Sequence, residues 1–514
     1  CKMRYDRDDD MVITGKRHDF RITYRIGCDA EGRIAGVDFT HLVRCGWAQD
    51  LSLPVSDRAM LHADNAYFLP NVRITSHRLK THTQSATAFR GFGGPQGMVG
   101  IERAMDHVAQ ALDLDPLILR RRNYYPSSKY MPGSKNNAIT PYGQVVEDFI
   151  LDEMTDRLIE SCDFTARKEK VAAWNAEQPV LKKGLALTPV KFGISFTLTH
   201  LNQAGALVHV YQDGSVHLNH GGTEMGQGLF QKVAQVAAAR FGISVEQIKI
   251  TATDTAKVPN TSATAASSGT DLNGMAVQAA CDTIRARMAD LLAKEHQADV
   301  TDVIFRDDEV LVAGARYSFA EVAKKAYMAR VSLSATGFYK TPKLKWDRIK
   351  GEGRPFFYFA YGVAATEVVV DTLTGESKIL RVDILHDAGA SLNPSIDIGQ
   401  IEGGYVQGVG WLTIEELVWD DRGRLRTHAP STYKIPACSD RPEIFNVALW
   451  DDVNREDTVY RSKAVGEPPL MLGISAFSAL SQAVQTCGPN YADLQAPATA
   501  EALLAATQRA KGVR

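Results

Sequence analysis

Hydrophobic and polar positions alternate through the first 45 residues, in Val12-Ile13-Thr14, Phe20-Arg21-Ile22-Thr23-Tyr24 and Ile34-Ala35-Gly36-Val37-Asp38-Phe39. A period of two is that of a strand with one buried face. Asp29-Ala30-Glu31-Gly32-Arg33 between the last two has hairpin chemistry, so the chain is expected to open as antiparallel sheet. The period then lengthens. Met98, Ile101, Ala104, Met105, Val108 and Leu112 recur at three and four residues, which predicts a helix with one buried stripe. Residues 113–135, with Arg120-Arg121-Arg122, Pro126 and Pro132, read as a short helix running into a loop. Residues 148–176 read as helix, ended by Gln178-Pro179. A boundary here divides the chain into parts 1–180 and 181–514.

The second part opens with strand patterns at 184–189 and 191–197. A hairpin over 206–211 and 216–219 turns at Asp213-Gly214. Val233, Val236, Ala237 and Phe241 form a helical stripe, a strand is expected over 248–255, and a helix over 275–293. Residues 301–327 read as a small strand–helix insert, and 363–370 pairs with 378–385 through a turn at 371–376. The expected class is α+β, a large two-part unit of mixed sheets, hairpins and glycine-loop/helix cradles.

Three loops precede these helices and carry the candidate chemistry. The first, residues 86–97, reads ATAFRGFGGPQG and interleaves four glycines with Phe89, Arg90 and Phe92. The second, 221–228, reads GGTEMGQG. The third, 264–274, is the hydroxyl-rich run TAASSGTDLNG. Glycine lets backbone approach a ligand closely, and the free N–H groups of a following helix end favour an anion. Taken singly, the first also reads as a tight turn with core phenylalanines, and the third as an N-cap with a small-residue lead. Residues 391–410 form a helix that carries Gln400, Gln407 and, among its glycines, Gly399, Gly403, Gly404 and Gly408. Each glycine costs about 1 kcal/mol relative to alanine, which implies close packing or close ligand approach. Glu467 lies between Val465 and a diproline. A carboxylate in a rigid apolar loop is short of water and suits a general base, although an exposed turn residue would look the same. Arg58 by itself reads as a surface arginine.

Composition narrows the class. Fifty-eight basic and sixty acidic side chains leave a net charge of −2 with no long run of one sign, which argues against a nucleic-acid or anionic-membrane surface. The seven cysteines are scattered without a C-x-x-C pair. That argues against a disulfide scaffold, a zinc site or an iron–sulfur cluster within this chain, and for a reducing compartment. No apolar run approaches the ~18 residues of a membrane span, and the start lacks a signal-peptide core, so a soluble, cytoplasmic protein is expected. The chain opens on Cys1, as the later part of a longer polypeptide would.

Taken in order, AFRGFGGPQG (88–97), KFGISFT (191–197), LNQAGAL (201–207), GGTEMGQGL (221–229), TAAS and DLNG (264–274), SLSATGFY (332–339), SLNPSIDIGQIEG (391–403), STYKIPA (431–437) and KAVGEPPL (463–470) span nearly the whole chain. Together they closely resemble the molybdenum-binding part of the molybdenum hydroxylases, in the xanthine dehydrogenase/oxidase branch. The resemblance implies a molybdopterin cofactor whose dithiolene holds an oxo/sulfido molybdenum, with no direct side-chain ligand to the metal. It implies purine hydroxylation (hypoxanthine to xanthine to urate) with water as the oxygen source and hydride passing to the sulfido ligand. By motif, Glu467 would be the base, and Arg58 would bind the purine where negative charge develops. Phe92 and Phe196 would sandwich the ring, with Thr197 beside it. Arg90, Ala266 and Glu467 would surround the metal. Phe89, Arg90, Met225, Gly226, Gln227, Ala265, Ala266, Ser267, Ser268, Thr270 and Gln400 would hold the cofactor.

The branch usually has a serine where this chain has Pro54. It also places a second purine-contacting glutamate and a glutamine near the metal, both upstream of the region matched by Cys1. Electrons would leave through 2Fe-2S clusters and FAD on a partner chain or upstream domain toward NAD, with the complex assembled as a dimer. An aldehyde oxidase would share the cofactor motifs, and Arg58 separates the two. A non-catalytic nucleotide-binding scaffold using the glycine loops would leave Glu467 without a purpose.

Overall fold

The computed structural model describes residues 3–126, 138–251, 253–254, 257 and 261–513. Cys1, Pro132 and Lys135 of the expected loop, and Ala252 and Thr255 of the expected strand lie outside these. The opening sheet has three strands. Phe20–Cys28 and Ile34–Gly46 pair antiparallel, and Val72–Lys80 runs parallel to Ile34–Gly46. Val12 and Ile13 end a helix, Arg7–Ile13, instead of a strand. Asp6 accepts the Asp9 N–H there, and three aspartates sit in the first turn, where the helix dipole favours them.

Helix Ser52–Leu61 carries Arg58, with Pro54 in its first turn, where no intrahelical N–H is needed. It packs on helix Gly94–Ala111, the buried-stripe helix of the sequence pattern. Contact there is so close that a Cβ on Gly97 would lie 2.1 Å from the Ala59 carbonyl oxygen. The single helix expected over 148–176 is two, Leu151–Ser161 and Phe164–Glu177, separated where Asp163 takes a positive φ of 53°.

The strand patterns at 184–189 and 191–197 are largely one strand, Leu181–Ile194. It lies at the edge of a four-stranded sheet, next to Tyr358–Asp371, then Ser377–His386, then Ile444–Leu449. Tyr358–Asp371 is buried along most of its length because Leu181–Ile194 and Ser377–His386 flank it and helix Ile474–Gln485 packs on it. Phe39, Ile101 and Met105 from the first half share one core with Leu185, Phe356, Phe359 and Tyr361 from the second. A further sheet of Gln203–Val210, Val216–His220, Ile248–Ile250 and Ser334–Lys340 packs on helices Leu229–Phe241 and Gly269–His296. The expected 301–327 insert is a three-stranded sheet and helix Phe319–Met328. Among the described residues no helix is long and apolar enough to cross a membrane, and the six described cysteines are free.

Candidate active site

The three loops, helix Pro394–Thr413 and the segment 462–467 enclose a cavity of about 610 Å³. Phe89, Arg90 and Phe92 line it from the first loop, and Met225, Gly226 and Gln227 from the second. Ala265, Ala266, Ser267 and Thr270 come from the third, Gln400 from the helix, and Glu467 from the last segment. Residues as far apart in sequence as Phe89 and Glu467 thus share one space. Three non-glycine wall residues hold positive φ: Phe92 (52°), Ala266 (56°) and Ser267 (59°). Such backbone persists only where surrounding packing dictates it, and it gathers at binding sites.

Arg90 ties three walls together. Its Nε donates to the Gly466 carbonyl at 2.6 Å, Nη2 to the Gln400 carbonyl at 3.1 Å and Nη1 to Gln407 Oε1 at 3.4 Å. Burial lowers its pKa to about 10, opposed by the nearby Glu467 charge, so it remains a cation at neutral pH. A Cβ on Gly404 would lie 2.6 Å from Pro469 Cβ and 2.9 Å from Arg90 Nη2, which is why that turn of the helix has no side chain. Of the helix glycines, Gly404, Gly408 and Gly410 are such close approaches, whereas Gly399 and Gly403 have open space among the described residues.

Glu467 is held at both oxygens by neutral donors. The Gly91 N–H donates to Oε1 at 3.0 Å and Ser267 Oγ donates to Oε2 at 2.9 Å, while Ser267 Oγ also accepts the Glu467 N–H at 2.9 Å. The other two carboxylates of the wall are engaged differently. Asp397 pairs with Lys232, and Asp271 accepts the Tyr358 hydroxyl at 2.7 Å and is raised by burial to about 7. Among the described residues no cation is in ion-pair contact with Glu467.

Four expected site residues do not line this cavity. Ser268 turns its hydroxyl back onto the Ala265 carbonyl at 3.3 Å. Arg58 is 2% exposed, its guanidinium donating to the Ser195 and Gly193 carbonyls at 2.9 and 2.5 Å and lying over the Phe192 and Phe356 rings. Its buried Nε has no partner among the described residues, and burial lowers its pKa, opposed first by the Glu467 charge. Phe196 and Thr197 follow that carbonyl pair, in a turn closed by Asn202, which accepts the Phe196 N–H and donates to the Phe196 carbonyl.

Sequence reasoning passed over Arg17, which donates to the Arg90 carbonyl at 2.8 Å and stacks over Phe89 and Trp411. It also passed over the Lys232–Asp397 pair. A lysine three residues from Leu229 on a buried stripe, with an aspartate in an apolar helix, was the available signal.

The donor set fits a polar, anionic ligand of pterin size. The wall offers it the Thr264 and Thr270 hydroxyls and the side-chain amides of Gln400 and Gln407, and among the described residues nothing lies within 4 Å of where a Cβ on Gly226 (φ 100°) would point. Two family profiles, each described as Molybdopterin cofactor-binding domain, match residues 157–442 and 1–124. The chain belongs to the molybdopterin-binding part of the molybdenum hydroxylases. It is 46% identical over 504 residues to the xanthine dehydrogenase/oxidase of Mus musculus, covering 96% of this chain and 36% of that protein. It is 43% identical over 504 residues to the xanthine dehydrogenase of Dictyostelium discoideum, covering 96% and 35%. The chain therefore spans about a third of the length of the curated relatives it matches. In fold it superposes on CO dehydrogenase from Oligotropha carboxidovorans with TM-score 0.85 at 20% identity, covering 98% of this chain and 63% of that one. It also superposes on the aldehyde oxidoreductase of Desulfovibrio desulfuricans with TM-score 0.80 at 25% identity, covering 98% and 50%.

Proposed function

We propose that this chain is the catalytic part of a purine hydroxylase that converts hypoxanthine to xanthine and xanthine to urate, and that Glu467 is its general base. The observation that carries the reading is the Glu467 carboxylate itself. It faces a cofactor-sized cavity, fixed by two neutral donors, and among the described residues no cation is in ion-pair contact to hold its charge. When bound, the molybdenum cofactor supplies a two-electron acceptor and activates water as the oxygen source. The residues of the three loops and Gln400 hold that group, and Arg90 locks the walls around it. Glu467 removes the proton of the attacking water. Phe92 offers a flat apolar face to the purine. Arg58 holds the Gly193 and Ser195 carbonyls and so fixes the turn bearing Phe196 and Thr197, while its positive charge, which interacts with that of Glu467, favours negative charge developing on the ring.

Each turnover releases two electrons and two protons. The electrons pass to 2Fe-2S and FAD modules on a partner chain or upstream domain and on to NAD, in a cytoplasmic, dimeric complex. Support for this comes from the relatives' identity as xanthine dehydrogenases and from the length they have beyond this chain.

A second reading, oxidation of a neutral aromatic aldehyde, is favoured by one fact. Both Nη atoms of Arg58 are engaged by carbonyls, and Arg58 does not line the cavity. Steady-state kcat/KM of the assembled holoenzyme for xanthine against an aromatic aldehyde decides between them. A clear preference for xanthine supports the purine reading, and a preference for the aldehyde overturns it.

A further inference from the structure

The segment that carries Glu467 is gripped twice by the 264–271 run. At Glu467 the grip is direct, through Ser267 Oγ. Three residues earlier it is indirect. Asp271 Oδ2 accepts the Tyr358 hydroxyl at 2.7 Å, and the oxygen of that hydroxyl accepts the Ala464 N–H at 2.9 Å. A tyrosine hydroxyl has one proton to donate, and giving it to Asp271 fixes which way its lone pairs point. Tyr358 is buried at the start of the strand Tyr358–Asp371, so the hydroxyl is mounted on a rigid element. Asp271 stands in the first turn of helix Gly269–His296 and is 6% exposed. On the other side, Lys463 Nζ reaches Asp387 at 2.7 Å and Asp148 at 3.2 Å, which fixes where the segment enters. Only Val465 and Gly466 separate Ala464 from Glu467, so a shift at Ala464 passes directly to the carboxylate.

We infer that Asp271, acting through Tyr358, is a positioning residue that sets the backbone at Ala464 and thereby aims Glu467 into the cavity. The inference rests on the reading of Glu467 as the base. Tyr358→Phe keeps the ring and removes only the hydroxyl. Asp271→Leu removes the acceptor, and Asp271→Asn keeps an oxygen for the Tyr358 hydroxyl.

The test uses the assembled holoenzyme and follows amide hydrogen exchange over residues 459–470, molybdenum content, and kcat and KM for xanthine. In Tyr358→Phe, exchange at the Ala464 amide should rise and kcat fall, each by about tenfold, the weight of one neutral hydrogen bond, with KM and molybdenum content unchanged. Asp271→Leu should match it, and Asp271→Asn should return both quantities close to the parent values. Unchanged exchange in Tyr358→Phe overturns the inference. So does an Asp271→Asn variant as impaired as Asp271→Leu. Should Asp271→Leu not fold, Tyr358→Phe decides alone. Glu467→Gln, measured alongside, separates the two readings. If it keeps full turnover, the base assignment fails. If it is inactive while Tyr358→Phe loosens the amide at normal kcat, only the positioning role fails.

Discussion

Replacing Glu467 by glutamine tests the proposed chemistry with little disturbance of the wall. The amide oxygen can still accept the Gly91 N–H, now 3.0 Å from Oε1. The amide NH₂ would face Ser267 Oγ, which has a lone pair for it beside the one that accepts the Glu467 N–H. Two charge-assisted bonds become neutral ones, a local loss of about 1 kcal/mol each. The Glu467 charge also opposes the lowering of the Arg90, Arg58 and Arg17 pKa values, so these cations lose some support. The cavity should therefore keep its cofactor, since Arg90 and the three loops remain in place. Turnover should behave differently, because an amide cannot take a proton at neutral pH. General-base assistance contributes about 10²–10⁴-fold, and kcat should fall within that range. The assay is steady-state xanthine oxidation with molybdenum content measured on the same sample. Near-normal kcat at full molybdenum occupancy would refute the reasoning; low activity with low molybdenum would place Glu467 in cofactor retention instead.

Further outcomes follow from the same geometry. Arg58→Met strands two buried carbonyls, so we expect about 2–4 kcal/mol of lost stability in denaturant unfolding; it should also depress xanthine turnover more than aromatic-aldehyde turnover, and equal slowing of both would make Arg58 purely structural. Gly404→Ala should loosen the Arg90 and Pro469 contacts at a cost of about 1–3 kcal/mol, whereas Gly399→Ala, with open space at its Cβ, should be neutral or stabilising by up to about 1 kcal/mol; thermal unfolding of the two variants side by side checks the contrast. His41 is buried against Phe20 and Phe39, neither ring nitrogen has a partner among the described residues, and burial pushes its pKa from 6.5 down to about 4. The unfolded chain then binds a proton that the fold refuses, so His41 lowers stability progressively as pH falls from about 6.5 to about 4. His41→Phe should remove about 2 kcal/mol of that acid sensitivity by pH 5, read as a widening gap in Tm between variant and parent from about pH 7.5 to about pH 5.

Element type was legible wherever the hydrophobic period was sustained. The stripe from Met98 to Leu112 is a helix, and the hairpins at 206–219 and 363–385 pair as their patterns implied. Short patterns failed for physical reasons. Three residues at Val12–Thr14 cannot separate a strand from the end of a capped helix, and a local rule does not see Asp163 breaking a long helix. The 191–197 pattern ran past Ile194, where Arg58, more than 130 positions away, takes up the Gly193 and Ser195 carbonyls and Asn202 closes the following turn.

The candidate site divides in the same way. The sequence alone singled out the segments that line the cavity, because glycine, hydroxyl and amide residues ahead of helices are dictated by local backbone needs. That the three loops, Gln400 and Glu467 face one cavity was decided by tertiary structure, through contacts such as Arg90 to Gly466 and Ser267 to Glu467. The fold also decided that Arg58, Phe196, Thr197 and Ser268 stand outside the cavity wall. Residue type records what a side chain can do. Where it points depends on which distant carbonyls and rings the packed chain brings against it, and no local pattern carries that.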